Sequence, residues 1–468
     1  MNSYQPRSSP ATRQWHGAEY IDQVPRSYWI ETLGCPKNQV DSDKLAAALR
    51  AAGWKRAAGA AKADLVVVNT CAFIEPAREE SIRTILDLTD MRGPQARLVV
   101  TGCMAKRYPT ELAEALPEVD DISPTEDLLL SIGDDQGGQA PPLEPSPKQS
   151  TQFLLDFPRR RTRRPWAYLK VAEGCDRRCG FCAIPSFRGS QVSRSLSSVI
   201  AEAESLRVKE VVLVAQDLVS YGKDRTRGPE GGRTEGLGDL LRHLAQVVPW
   251  VRLLYLYPSG LNKRLVDQIA THALHYFDLS LQHASGSLLR RMRRFGSAER
   301  FLELISYIRL VAPDAALRSS FIVGYPGETE QDHEELLAFL EEARLDWAGF
   351  FAYSPEEGTY AAQLPGRLSS SEVADRLGEA SSLQADITAA KRLELVGTRT
   401  TVLVEAPGQG RSHREAPEID GVVLLPDEPK VGEFVEVEIT SASGVDLEAI
   451  PAQRRQQATL QGDSEAVA

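Results

Sequence analysis

The sequence predicts an α/β protein in three parts: an open parallel α/β domain, a partial (β/α)6 barrel and a small C-terminal β-barrel. Three observations carry this expectation. Apolar strand-like runs alternate with helical patterns from Tyr28 to Pro117 and again from Pro165 to about Pro355, the pattern of parallel sheets. A Gly/Pro-rich acidic stretch, Gly133–Gln149, separates the two. After Gly397 the pattern changes to short strand candidates with turn residues between them.

At 468 residues the chain has room for about three domains, and 42% hydrophobic residues suit ordinary globular cores. No apolar run approaches the roughly 20 residues that a spanning helix needs. Met1–Arg26 is polar around an isolated Trp15 and lacks the apolar core of a signal peptide. The expectation is a cytoplasmic protein divided as a flexible extension (1–27), an α/β domain (28–132), a linker (133–158), the barrel (159–396), the β-barrel (397–455) and a polar tail (456–468). A net charge of −11 argues against a general polyanion binder.

The first domain repeats one layout three times. Tyr28–Leu33 runs into Gly34-Cys35-Pro36 and a helix over Asp41–Ala52; Asp64–Asn69 runs into Thr70-Cys71 and a helix opening near Pro76. Arg97–Val100 runs into Thr101-Gly102-Cys103 and a helix over Ala105–Leu116. Open parallel sheets bind ligands beyond the carboxyl ends of their strands, so Cys35, Cys71 and Cys103 can converge although 36 and 32 residues separate them. Three small buried hydrophobes is the alternative reading, and the shared register argues against it.

The barrel strands are expected at Ala167–Glu173, Glu210–Gln216, Val251–Tyr257, Tyr276–Leu281, Leu317–Gly324 and Trp347–Tyr353. The helices between them include Leu196–Arg207, Leu237–Val247, Asn262–His272, Arg300–Leu310 and Glu330–Ala343, and Ser369–Val396 closes the segment. After the first strand comes Cys175-Asp-Arg-Arg-Cys179-Gly-Phe-Cys182, three thiols in eight residues. Three thiolates leave one iron of a four-iron cluster open to a reactant. Zinc normally takes a fourth protein ligand, and no histidine lies in this loop. The six cysteines therefore read as two ligand sets, Cys35, Cys71, Cys103 and Cys175, Cys179, Cys182.

The C-terminal strands are expected at Thr400–Glu405, Gly421–Leu425, Phe434–Thr440 and Val445–Ile450. From Gly397 to Ile450 four basic residues face eleven acidic ones, a net of −7. A domain holding tRNA needs an excess of lysine and arginine, so this balance favours a basic protein partner over tRNA. The run Arg159-Arg160-Arg161-Thr162-Arg163-Arg164 reads as a solvated surface.

The spacing C-x3-C-x2-C resembles that of the radical S-adenosylmethionine (SAM) enzymes, and the whole layout from Tyr28 to Ile450 resembles their methylthiotransferase family. The phrases Leu33–Ser42, Glu173–Gly189, Val214–Asp217, Leu254–Ser259, Leu281–His283, Phe321–Glu328, Phe351–Thr359 and Ala416–Gly421 carry the resemblance in order. The family pattern comprises an N-terminal cluster domain, a radical SAM barrel and a C-terminal TRAM domain. Pro36-Lys37 after the first cysteine resembles the branch acting on an aspartate of the small-subunit ribosomal protein S-twelve rather than the tRNA-modifying branches.

The resemblance implies two 4Fe–4S clusters and two SAM molecules per turnover. The cluster on Cys175, Cys179 and Cys182 splits SAM into methionine and a 5′-deoxyadenosyl radical, using an electron from a reduced flavodoxin or ferredoxin-like donor. The radical takes a hydrogen from the β-carbon of the aspartate, a bond no side-chain base can break. The sulfur carried at Cys35, Cys71 and Cys103, methylated by a second SAM, then joins that carbon. The resemblance places SAM contacts at Phe181, Gln216, Asp217, Gly324 and Glu328. Ordinary readings stand beside them: a core aromatic for Phe181, a cap for Asp217 and a turn for Gly324. Tyr255, Tyr257 and His283 are expected to line the barrel without an acid–base task. The competing functions are the same chemistry on a tRNA adenosine, a non-enzymatic iron–sulfur carrier and a zinc-stabilised RNA binder.

Overall fold

The computed structural model describes residues 26–134, 146–159, 161–225, 235–426 and 429–452. Residues 1–25 of the expected extension and the whole of the expected tail lie outside the described residues, and Ser27 already belongs to the first strand. The N-terminal sheet holds five parallel strands, β1 (Ser27–Thr32), β2 (Lys55–Arg56), β3 (Leu65–Thr70), β4 (Arg97–Gly102) and β5 (Asp121–Ile122), in the order β2-β1-β3-β4-β5. β3 is buried at every position, which its Leu-Val-Val-Val run requires of a central parallel strand. The order reverses between β1 and β3, so Cys35 and Cys71 flank the crevice where such sheets bind ligands.

Six parallel strands form the partial barrel, joined edge to edge in chain order: β6 (Trp166–Lys170), β9 (Glu210–Val214), β10 (Trp250–Leu256), β11 (Tyr276–Gln282), β12 (Ala316–Val323) and β13 (Trp347–Ala352). A two-stranded ribbon of β7 (Ala172–Glu173) and β8 (Val192–Ser193) brackets the cysteine loop. Side chains alternate along each strand. Ala167 and Leu169 pack with Val199 and Ala203 of the helix Leu196–Leu206, whereas Trp166 and Tyr168 join Val212, Val214, Leu254, Tyr276 and Trp347 in the interior. That interior core also takes Val40 from α1 (Pro36–Ala51) and Ala416 from the C-terminal domain.

The C-terminal domain is a closed barrel of β14 (Arg399–Ala406), β15 (Gln409–Arg411), β16 (Val423–Leu424), β17 (Phe434–Ser443) and β18 (Asp446–Pro451). Its loop after β15 seals the amino-terminal end of the large barrel. Arg411 Nη2 donates to Glu210 Oε2 at 2.6 Å, Arg252 Nη1 to the His413 carbonyl at 2.7 Å, and Trp347 Nε1 to the Arg414 carbonyl at 2.8 Å. This leaves the carboxyl ends of the strands for chemistry, as in complete (β/α)8 barrels.

Four expectations are corrected. Pro147–Asp156, placed in the linker, is an α-helix whose Leu154 packs in the core of the N-terminal domain; residues 135–145 of that stretch lie outside the described residues. The single helix expected over Ala105–Leu116 is two, α2 (Cys103–Arg107) and Pro109–Ala115, because Pro109 cannot donate the bond that would continue the first. Arg159 is not a solvated surface residue: buried, it donates from Nε to Glu202 Oε1 at 2.6 Å and from Nη1 to Asp43 Oδ2 at 3.0 Å. The acidic excess of the last domain is partly internal, since Glu415 and Glu438 are buried and Glu405 and Glu415 are paired with Arg411 and Arg392.

Candidate active site

Cys35 stands at the N-cap of α1, Cys71 directly follows β3, and Cys103 opens α2 directly after β4. Asn38 ties these strand ends together: its Nδ2 donates to the Leu33 and Thr70 carbonyls at 2.9 Å each, and its Oδ1 lies 3.9 Å from the Cys103 sulfur. Gly34 (φ +88°) packs so closely on Cys71 that a Cβ there would lie 2.7 Å from the Cys71 Cβ and 2.9 Å from its sulfur. Gly102 (φ +90°) meets Asn69 and the Thr70 backbone in the same way. Burial, with the nearby Cys103 thiol, pushes the Cys71 thiol up to about 12. Burial also raises Cys35, but Lys37 and Arg188 outweigh it and leave that thiol below its ordinary value.

The second triad lies on the loop between β7 and β8. Cys175 N–H donates to the Gly189 carbonyl at 3.0 Å, and Gly180 N–H to the Met292 carbonyl at 2.7 Å. Burial raises Cys175 to about 11 and Cys182 to about 12. Beside Cys179, Tyr257 is held between two guanidiniums, those of Arg177 and Arg294, each 4.0 Å from its ring centroid. Arg294 Nη1 also donates to the Cys179 sulfur at 3.4 Å.

All six cysteines are free thiols. Among the described residues no three His, Cys, Asp or Glu side chains converge on one point as a single ion requires. Cluster ligands instead sit on separate irons around a cage, and thiols from three separate strand ends suit that spread. The donor sets fit two clusters.

The residues with expected SAM contacts divide into two groups. Gln216 and Asp217 follow β9 at the mouth of the barrel. Gln216 Nε2 donates to Glu173 Oε1 at 2.5 Å, and Asp217 Oδ2 accepts from Arg177 Nε at 2.6 Å and Ser220 Oγ at 2.7 Å. Gln216 Oε1 and Asp217 Oδ1 are buried with no partner among the described residues, two acceptors available to a ligand's donors. Gly324 and Glu328 satisfy each other instead: Glu328 Oε2 accepts from Gly324 N–H at 2.6 Å and Oε1 from Arg376 Nη1 at 2.9 Å, which shapes the loop after β12. Phe181 packs against the main barrel core. His283 is fully buried, and burial lowers it to about 3, so it is neutral at physiological pH.

Sequence reasoning missed the link between the two triads. Arg188, on the barrel loop, donates from Nη2 to Asn38 Oδ1 and to the Cys103 sulfur at 2.9 Å each, and from Nη1 to Glu173 Oε1 at 2.8 Å. Lys170 Nζ holds Asp41 Oδ1 at 2.7 Å and also pairs with Glu173. At the far edge Arg78 and Arg107 both grip Glu356, at 2.5 and 2.7 Å. The N-terminal domain is thus tied to both edges of the open barrel, at β6 and beyond β13. The one available signal for Arg188 was its place in the cysteine loop.

Residues 27–123 match the model of "Uncharacterized protein family UPF0004", residues 169–340 that of the radical SAM superfamily and residues 380–451 that of the TRAM domain. A ribosomal protein uS12 methylthiotransferase RimO of Cutibacterium acnes is 42% identical over 476 residues, covering 90% of this chain and 97% of that protein. The protein of the same name from Chloroflexus aurantiacus is 39% identical, over 90% and 98%. Among solved structures, the radical SAM methyltransferase TsrM of Kitasatospora setae, with cobalamin and a 4Fe–4S cluster bound, matches with a TM-score of 0.50 at 16% identity, covering 87% of this chain and 84% of that one, a likeness of fold. Matching relatives over nine-tenths of its length and across all three parts, with one free cysteine triad at three strand ends and a second on the loop after β7, the chain belongs to the RimO family of radical SAM methylthiotransferases.

Proposed function

We propose that this chain transfers a methylthio group to the β-carbon of an aspartate of ribosomal protein uS12, with Cys175, Cys179 and Cys182 holding the cluster that cleaves SAM and Cys35, Cys71 and Cys103 the cluster that carries the sulfur. When bound, the two clusters supply a reducing electron for SAM and a sulfur for the substrate. The chain's residues bind, orient and enclose. Gln216 and Asp217 present open acceptors at the mouth of the barrel, suited to the ammonium of SAM. Arg188, at the end of the loop that carries the second triad, contacts Cys103 of the first and Glu173, which holds the two sites side by side for one substrate. The N-terminal domain, tied down at both barrel edges, shields this space from water.

The observation that carries the reading is the Arg188 bridge from the radical SAM loop to Cys103. The exposed acidic residues of the TRAM barrel (Glu418, Glu433, Glu436 and Glu448) support a basic protein substrate over tRNA. A reduced flavodoxin or ferredoxin-like protein serves as electron donor in this reading. Residues 28–132, 159–396 and 397–455 act as cluster, radical and TRAM units. The test replaces Cys35, Cys71 or Cys103 with alanine and measures 5′-deoxyadenosine and modified uS12. Deoxyadenosine is expected to persist while methylthiolation disappears; loss of a modified tRNA base with unchanged uS12 in a deletion strain contradicts the substrate.

A further inference from the structure

We infer that Lys37 is the receptor for the carboxylate of the target aspartate and sets the preference for that side chain. The inference rests on the aspartate reading above. In an aspartate the β-carbon carries the carboxyl carbon directly. Bringing the β-carbon to sulfur held at the Cys35 triad therefore brings a full negative charge to the rim of that triad, where desolvation makes an unmatched charge costly.

Three cations around that rim already hold carboxylates. Arg188 is paired with Glu173, Lys170 with Asp41 and Arg107 with Glu356. Lys37 has no carboxylate within 4.0 Å among the described residues; its Nζ rests 3.9 Å from the centroid of the Tyr255 ring. It is half-buried and two residues from Cys35. It sits in the first turn of α1, whose dipole adds positive potential at the same place.

Tyr255 gives the ammonium a fixed seat. The residue lies in the left-handed region (φ +64°) where the pairing of β10 with β11 shifts register, and its N–H donates to Asp278 Oδ2 at 2.9 Å. Asp278 Oδ1 in turn accepts from Arg318 Nη1 at 3.1 Å. A cation over a ring keeps its N–H donors available, unlike one locked to a carboxylate.

The test compares uS12 with uS12 whose modified aspartate is replaced by asparagine, the first as substrate and the second as competitive inhibitor, against the cluster-loaded wild-type, Lys37→Met and Lys37→Arg enzymes. Lys37→Met is expected to raise the KM for uS12 at least about tenfold, the factor of one charge-assisted hydrogen bond. The inhibition constant of the asparagine form should stay unchanged, and Lys37→Arg should restore the preference. Equal weakening of both forms makes Lys37 structural and overturns the inference. So does a rise in KM for SAM alone, which would assign Lys37 to the cofactor's carboxylate. Should Lys37→Met fail to load iron, a Lys37→Arg enzyme that does not prefer the aspartate form overturns it equally. A wild-type enzyme that leaves uS12 unmodified overturns the substrate reading, and this inference with it.

Discussion

Arg188 reaches from the radical SAM loop to the Cys103 sulfur, 2.9 Å from its Nη2, while its other terminal nitrogen holds Glu173. One side chain therefore ties the loop that carries the second triad to the first, and both of its anchors are buried. Removing Arg188 leaves Glu173 its ion pair with Lys170 but takes a charged donor from Glu173 and from the Cys103 sulfur, at about 1–3 kcal/mol. Arg188→Ala should lower stability to chemical denaturation by that order and drop the iron content from that of two clusters towards one. Unchanged iron and an unchanged midpoint would mean the bridge holds neither.

Gly34 supplies a second, more local test. Its positive φ and its contact with Cys71 leave no room for a methyl group. Gly34→Ala should displace Cys35 and Cys71 while leaving the barrel loop untouched. Iron should fall to one cluster per chain and methylthiolation should vanish, with deoxyadenosine formation from SAM retained. Loss of deoxyadenosine as well would show that the two sites do not assemble separately.

Cys35, Cys71 and Cys103 were legible because each ends an apolar run and precedes a helical pattern, and the second triad by its close spacing. The two-residue edge strands Lys55–Arg56 and Asp121–Ile122 were not, since two residues have no period. The helix Pro147–Asp156 hid in linker-like composition, although Ser146 and Gln149 form a capping pair there, with Ser146 N–H donating to Gln149 Oε1 at 2.8 Å. Arg159 and Arg188 were the costlier misses. Their partners, Asp43 and Cys103, lie 116 and 85 residues away, and no local pattern announces a contact at that range.

Asp217 tests the SAM side. Its Oδ1 is buried with no partner among the described residues, and its Oδ2 holds Arg177 against the Tyr257 ring beside Cys179. Asp217→Asn keeps the shape and removes the charge that would meet an ammonium. The KM for SAM should rise about tenfold or more, with the KM for uS12 little changed. An unchanged KM for SAM assigns Asp217 to holding Arg177 alone.

Asp420 sits at the opposite end of the barrel, where the TRAM loop closes it. Its Oδ2 accepts from the Tyr276 hydroxyl at 2.6 Å and from Ala416 N–H at 2.8 Å, and Oδ1 lies 3.5 Å from Arg318 Nε. Burial pushes its carboxyl up from the ordinary 3.8 to about 6, with Arg318 and the hydrogen bonds offsetting only part of that cost. The folded protein thus holds this proton more tightly than the unfolded chain. The stabilisation is present in full below about pH 4 and is lost as the pH rises through about 6. Asp420→Asn resembles the protonated form at every pH, so the difference between variant and wild type isolates this carboxyl from other acids. Between pH 5 and pH 8 that difference should move in the variant's favour by about 1.4 kcal/mol, the equivalent of one pKa unit. Denaturation midpoints of both proteins at the two pH values measure it. A difference that moves the other way would mean that the ion pair with Arg318 outweighs burial, and that the TRAM loop is held in place by charge.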